Sequence, residues 1–217
     1  MIRGTNLSKR YGNLEVVKGV TLEIAQGEIV TIVGKSGAGK STLLHILGTL
    51  DRPDSGDVHL DSKLVSSFND KQLSTFRNKH IGFVFQFHHL LPEFTAVENV
   101  MMPALISKVS KKDSEAKAKE LLGYLGLSNR LEHKPSQMSG GEQQRVAVAR
   151  ALMNNPLVIF ADEPSGNLDT QTSKELHDLF FKLNKDLNQT FVIVTHNMEL
   201  ASMAHRTIRM QDGKIVS

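Results

Sequence analysis

Short runs of apolar residues, each ended by a polar or turn-forming residue, are the clearest pattern in the chain. They cover residues 28–33, 157–161 and 190–195. Because these runs are almost continuously apolar rather than alternating, they are typical of strands in a parallel sheet covered on both faces. Helical patterns lie between and after the runs, at about 40–49, 142–153 and 170–185. Together they predict an α/β fold with a mainly parallel core sheet and helices on both faces.

The N-terminal part of the chain has shorter apolar stretches beside turn residues. Residues 2–7, 20–24 and 57–60 predict short strands, and residues 53–56 predict a turn. We expect these strands to form an antiparallel β subdomain beside the main sheet.

The middle of the chain, from Asp70 to about Gln137, is predicted to be mostly helical. We expect a helical subdomain over about residues 87–155, within a single domain of residues 1–217. Apolar residues recur there at the spacing of one helix face, at Ala118, Leu121, Leu122 and Leu125.

A cluster of basic residues lies in the same region, at Lys108, Lys111, Lys112, Lys117 and Lys119. A solvated helix face is the simpler interpretation of this cluster. Contact with anionic lipid headgroups is the alternative.

Composition and charge exclude several classes of protein. The chain has 217 residues and no cysteine, which excludes a disulfide scaffold, a thiolate metal site and thiol catalysis. Its formal charge is only +3 and it lacks tryptophan, so we expect no nucleic-acid partner. The longest uninterrupted apolar run, residues 157–161, is far shorter than a membrane span, and no export signal is apparent. We therefore expect the chain to stay in the cytosol and to work at a membrane only through a partner.

A phosphate-binding sequence directly follows the first apolar run. It matches G-x-x-x-x-G-K-[ST] and consists of Gly34, Lys35, Ser36, Gly37, Ala38, Gly39, Lys40 and Ser41, here called the phosphate loop. The glycines let backbone N–H groups turn toward phosphate oxygens, and the helix N-terminus that follows favours an anion. Lys40 can reach the β and γ phosphates, and Ser41 can hold Mg²⁺. A simple glycine-rich turn before a helix is the alternative.

Polar residues end the other two apolar runs. Asp162 lies where α/β proteins place ligands, and it is the natural second anchor for Mg²⁺. Glu163 points elsewhere and can act on a water molecule. His196 can reach the γ-phosphate from the end of the third run. A strand-end turn for the acidic pair, and a helix-start residue for His196, are the alternatives.

Two further sequence features add candidate residues to the phosphate site. Ser139, Gly140 and Gly141 precede a predicted helix and form a second candidate anion site, although Ser139 with Glu142 also matches an ordinary capping box. Gln86 follows the apolar stretch 81–85, where its amide can touch Mg²⁺ or water.

With these motifs in this order, the chain resembles the nucleotide-binding subunits of ABC transporters over essentially all of its length. The phosphate loop matches Walker A, residues 157–162 match Walker B, and residues 165–169 match the D-loop. Other matching positions are Tyr11 (adenine stacking), Thr42 (next to the phosphates), Gln86 (Q-loop), residues 139–141 (signature), Glu163 (catalytic glutamate) and His196 (H-loop). Met138 departs from the family's usual leucine before the signature.

The resemblance implies a P-loop ABC cassette that hydrolyses ATP with Mg²⁺ held by Ser41, Gln86 and Asp162. It implies a homodimer in which each ATP lies between the Walker loops of one chain and the signature of the other. Residues contributed in trans would be Ser139, Gly140, Gly141, Glu142 and Asp169. Glu163, His196 and Gln86 would be the catalytic residues.

Residues 86–103 resemble the lipoprotein-releasing (LolD-type) ATPases of this family. The resemblance implies membrane permease subunits similar to LolC and LolE as partners. It also implies a peripheral position on the cytoplasmic face of the inner membrane, with the isolated chain being soluble. A macrolide or peptide exporter and the cell-division cassette are alternatives, and a soluble ABC ATPase of DNA repair or translation is a remote one. His88 and His89 are adjacent but lack further ligands, so no metal is assigned to them.

Overall fold

The computed structural model describes residues 1–216, and the chain divides into two compact units. The first unit contains Met1–Arg77 together with the chain from Phe181 onward, and the second unit is Asn78–Phe180. The strands are β1 (Ile2–Tyr11), β2 (Leu14–Ile24), β3 (Ile29–Val33), β4 (Ser55–Leu60), β5 (Lys63–Leu64), β6 (Ile81–Phe85), β7 (Val158–Asp162), β8 (Thr190–Val194), β9 (Arg206–Gln211) and β10 (Lys214–Ile215).

The α-helices connect these strands and vary widely in length. They are α1 (Lys40–Leu47), α2 (Asp70–His80), α3 (Ala96–Ile106), α4 (Lys111–Tyr124), α5 (Gly140–Leu152), α6 (Thr170–Leu187) and α7 (Met198–Met203). None of the helices among residues 1–216 combines the length and apolar character that crossing a membrane requires.

The first unit contains an antiparallel sheet in the order β2-β1-β4-β5, as the N-terminal pattern predicts. Ile2 lies opposite both Ile24 and Leu60, and all three side chains are buried. β1 extends beyond its predicted end because residues 8–10 are polar and partly or fully exposed. β2 begins earlier than predicted, and its first part includes the buried Val17, which the sequence pattern misses.

Parallel strands form the other sheet segment of the first unit. β3 pairs in parallel with β8 on one side and with β9 on the other, and every residue of β3 and β8 is buried. This burial explains the continuous apolar runs and brings the C-terminal ends of β3 and β8 to the same edge of the sheet.

The second unit contains a parallel pair of strands, β6 and β7, with Phe85 opposite Asp162. It also contains α3, α4 and α5, in line with the predicted helical middle of the chain. Ala118, Leu121, Leu122 and Leu125 are all buried, as their spacing predicts.

Candidate functional site

The phosphate loop connects β3 to α1 in the first unit, and its backbone requires glycine. Gly37 and Gly39 have φ of 79° and 92°, a region that other residues enter only with strain. A Cβ on Gly39 would lie 2.5 Å from the carbonyl oxygen of Val16, and one on Gly34 would collide with the Met210 carbonyl oxygen. The loop is therefore packed tightly against neighbouring backbone.

Lys40 is the first residue of α1, and Gly39 is its N-cap without any side-chain cap. The N–H groups of the first helical turn consequently point toward the loop, as an anion site requires. The Lys40 Nζ donates a hydrogen bond to the carbonyl oxygen of Lys35 at 3.1 Å, so the lysine side chain folds back over the loop.

Tyr11 ends β1 and keeps half of its surface, 52%, exposed. Its hydroxyl donates to Asp51 at 2.6 Å, and the Lys9 Nζ lies 5.5 Å from the centre of its ring. The bond to Asp51 raises the pKa of the Tyr11 phenol, and a hydrogen bond with Thr42 partly offsets this. The structure thus brings two predicted nucleotide contacts, Tyr11 and Thr42, together.

A cavity of about 610 Å³ adjoins the phosphate loop within the first unit. Residues 33–38 of the loop and the strand before it line one part, and His196, Met198 and residues 209–212 line the rest. This volume is in the range of small-molecule sites. His196 follows β8, is exposed and lines this cavity together with residues of the loop.

In the second unit, Asp162 is the last residue of β7, and Glu163 follows with φ of 46°. A non-glycine residue in this left-handed region is held by its surroundings and is common at functional sites. The Glu163 carbonyl oxygen accepts from the Gly166 N–H at 3.0 Å, closing a tight turn. Both acidic side chains are half-buried.

Gln86 follows β6, and its side chain lies against the turn after β7. Its Nε2 donates to the Asn167 Oδ1 at 2.8 Å. The same side chain packs closely on Gly166, where an added Cβ would lie 2.9 Å from that nitrogen. The structure therefore brings Gln86 together with residues 163–167, all within the second unit.

Ser139 is the N-cap of α5, and the capping box with Glu142 is fully formed. The Glu142 carboxylate accepts from the Ser139 N–H at 2.8 Å and from the Arg130 Nε at 2.7 Å. These two donors, led by the backbone bond, lower the pKa of Glu142. Gly140 and Ser139 are exposed, so the capping role does not bury this candidate anion site.

Asp169 precedes α6 and caps it. It accepts from the Thr172 N–H at 3.0 Å and from the Thr172 hydroxyl at 2.6 Å, and these bonds lower its pKa.

The loop after Gln86 exposes large apolar side chains and is anchored by two buried or partly buried residues. Its exposed residues are Phe87, Leu91 and Phe94. Asn99 of α3 accepts from the Leu91 N–H and donates to three carbonyl oxygens of residues 91–95. Arg150 of α5 donates to the carbonyl oxygens of His88 and His89 at 2.8 and 2.7 Å.

Asn99, Arg150 and Gln144 are not predicted from the sequence as parts of the site. Arg150 and Gln144 bind backbone carbonyls, which any residue type supplies, and some of these carbonyls lie about sixty positions away along the chain. Contacts between residues so far apart leave no pattern in the local sequence.

Comparisons with known proteins identify similar chains. The profile of a family described as ABC transporter matches residues 17–166. The lipoprotein-releasing system ATP-binding protein LolD of Cytophaga hutchinsonii is 61% identical over 216 residues, which is 100% of this chain and 99% of that protein. The protein of the same name from Bacteroides thetaiotaomicron is 60% identical over 99% of each chain. A solved dimer of the ATP-binding cassette MJ0796, in a post-hydrolysis state with ADP and phosphate, has a TM-score of 0.90 and 41% identity. The match covers 100% of this chain and 97% of that one.

Proposed function

Because the chain belongs to the ABC transporter family, we propose that its ATPase activity drives the release of lipoproteins from the inner membrane toward the outer membrane. The predicted family, cassette fold and ATPase activity are confirmed by the full-length relatives and the solved cassette. The observation that carries the lipoprotein assignment is the 61% identity to LolD over the whole chain.

We assign nucleotide binding to the phosphate loop, Thr42 and Tyr11 in the first unit. The exposed Tyr11 ring is available for stacking on adenine. The first-turn N–H groups of α1 and the Lys40 ammonium would bind the phosphates. His196, which lines the cavity beside the loop, would steady the γ-phosphate.

We assign water activation to Glu163 in the second unit. Its carboxylate would orient or deprotonate the water that attacks the γ-phosphate, while Lys40 stabilises the charge that develops on the phosphate oxygens. The left-handed backbone at Glu163 supports this role, since such strain persists where a side chain must be aimed. The two units are proposed to act as parts of one ATP-binding domain.

The donor set proposed for Mg²⁺ is the Ser41 hydroxyl, the Gln86 amide and the Asp162 carboxylate. All three supply oxygen, the donor type that Mg²⁺ prefers, so the residues fit this ion. Gln86 gives its nitrogen to Asn167, and the oxygen of the same amide is the donor atom we propose for the metal. When bound, Mg²⁺ neutralises charge on the phosphates.

We propose that two copies of this chain complete each ATP site. The second copy would supply Ser139, Gly140, Gly141, Glu142 and Asp169. Support comes from the exposed N-terminus of α5 and from the dimeric state of the solved cassette with 41% identity.

The exposed apolar residues after Gln86 support a membrane partner. Phe87, Leu91 and Phe94 are displayed on a loop that Asn99 and Arg150 hold in one conformation, which suits docking of another protein. The proposed partners are permease subunits similar to LolC and LolE, with this chain peripheral on the cytoplasmic face of the inner membrane.

Depletion of the chain in its native cells tests the lipoprotein assignment. Outer-membrane lipoproteins are expected to remain in the inner-membrane fraction after depletion. A plasmid copy of the parent should restore sorting, and a Glu163→Gln copy should not. Correct sorting after depletion would contradict the assignment to lipoproteins and leave the ATPase activity in place.

A further inference from the structure

Gln144 lies in the middle of α5 with no exposed surface. Its Nε2 donates hydrogen bonds to two backbone carbonyl oxygens, at 3.2 Å to Phe85 and 2.7 Å to Pro164. Its Oε1 is buried and has no hydrogen-bond partner among the described residues.

The two carbonyls that Gln144 binds adjoin the proposed catalytic residues. Phe85 ends β6 directly before Gln86, and Pro164 directly follows Glu163. The Glu163 carbonyl is bonded within its own turn by Gly166, whereas the Pro164 carbonyl takes its bond from Gln144 on another helix. One amide group therefore holds the backbone beside both residues.

The surroundings of the Gln144 side chain require a hydrogen-bond donor. Both neighbours are carbonyl oxygens, so the side chain must present its NH₂ group to them and leave its oxygen without a partner. An unsatisfied buried oxygen is unfavourable, and an apolar side chain of the same size would fill the space without it. Packing alone therefore does not account for a glutamine here, whereas fixing two carbonyls does.

We propose that Gln144 is a positioning residue for ATP hydrolysis, acting through the backbone of Gln86 and Glu163. The proposal rests on the proposed roles of those two residues. Because the phosphate loop belongs to the other unit, loss of the Gln144 amide should alter turnover and spare the affinity for ATP.

Gln144→Met tests the proposal, with Asn184→Leu as the matched control. Asn184 also donates one side-chain amide to two backbone carbonyls, those of Gly27 and Gln189, each at 2.8 Å, and neither partner is a proposed site residue. Phosphate release, ATP affinity and thermal unfolding would be measured on the full chain. For Gln144→Met we expect kcat to fall roughly 10- to 100-fold with KM for ATP nearly unchanged. For Asn184→Leu we expect a similar loss of thermal stability and the parental kcat.

Equal loss of kcat in the two variants would show that Gln144 acts only through stability and would overturn the proposal, as would a parental kcat in Gln144→Met. A parent without ATPase activity would instead overturn the proposed function. If Gln144→Met does not fold, Gln144→Glu supplies the second arm. Its carboxyl donates only when protonated, so its kcat relative to the parent should rise as the pH falls. A ratio independent of pH would contradict the proposal.

Discussion

The phosphate loop of the first unit and the catalytic segments of the second unit, Gln86 and residues 162–169, are held in place by different means. The loop depends on backbone conformation, with φ of 79° and 92° at Gly37 and Gly39 and a close approach to the Val16 carbonyl. The catalytic segments depend on side-chain amides, where Gln86 binds Asn167 and Gln144 binds the Pro164 carbonyl.

This difference separates the two tasks of the protein. A backbone cradle would bind phosphate through N–H groups that every residue except proline keeps, so we expect it to fail mainly when a glycine is replaced. Side-chain hydrogen bonds aim the reacting groups, so their loss should reduce turnover before it reduces binding. Substitutions in the two regions should therefore separate binding from turnover.

Glu163→Gln should remove the carboxylate that we propose activates water, and keep the shape of the side chain. We expect kcat to fall about 10²- to 10⁴-fold, the usual contribution of a general base, with ATP affinity unchanged. Phosphate release and equilibrium binding of ATP measure the two quantities. Hydrolysis at the parental rate would remove Glu163 from this role.

Gly39→Ala should weaken the binding of ATP rather than slow its hydrolysis. Alanine at φ of 92° is strained, and its Cβ would lie 2.5 Å from the Val16 carbonyl. A strain of about 1–3 kcal/mol corresponds to a roughly 5- to 150-fold weaker affinity for ATP. The control is Gly19→Ala, which has φ of 63° and no atom within 4 Å of the added Cβ. It should lower stability and leave affinity unchanged, and equal losses of affinity would contradict the specific role of the loop.

Gln86→Ala should reduce kcat by about tenfold and change ATP affinity less, because Ser41 and Asp162, the other two proposed Mg²⁺ donors, remain. Asn167→Ala removes the same 2.8 Å hydrogen bond but keeps the Gln86 amide, and we expect a smaller loss. Should the Asn167 variant lose as much activity, the Gln86–Asn167 contact itself would be the critical feature.

Glu142→Gln should remove a small pH-dependent contribution to the free energy of unfolding, less than about 1 kcal/mol. The Ser139 N–H and Arg130 hold the pKa of Glu142 below its usual 4.5. This stabilisation is therefore fully present above pH 4.5 and is lost as the pH falls through the lowered value. Thermal unfolding of the parent should lose this increment in acid, whereas the variant, which has no carboxylate at this position, should not. Parallel pH curves would contradict the prediction.

The contrast between backbone conformation and side-chain hydrogen bonds also explains how much of the site the sequence can predict. The phosphate loop is predictable because its constraint is local, with glycines at set positions between a buried strand and a helix. The contacts of Gln144 join residues 59 and 20 positions apart, and they become visible only when the chain is folded.

For secondary structure, too, local patterns are predictable and distant contacts are not. The fully buried β3 and β8 are predicted from their apolar runs. β9 is not predicted, because only Ile208 and Met210 are buried among its polar neighbours. β6 contains Gly82, where a Cβ would lie 2.7 Å from the Ala151 carbonyl oxygen, so tertiary packing rather than strand preference selects that residue.

We propose that the phosphate loop and the signature of one chain complete different ATP sites. The most direct test is the mass of Glu163→Gln in solution, measured by light scattering with and without ATP and Mg²⁺. We predict a monomer without nucleotide and a particle of twice that mass with it, and a shift to higher ATP concentration for Glu163→Gln combined with Gly39→Ala. A Glu163→Gln chain that binds ATP and remains a monomer would contradict the proposed shared ATP sites.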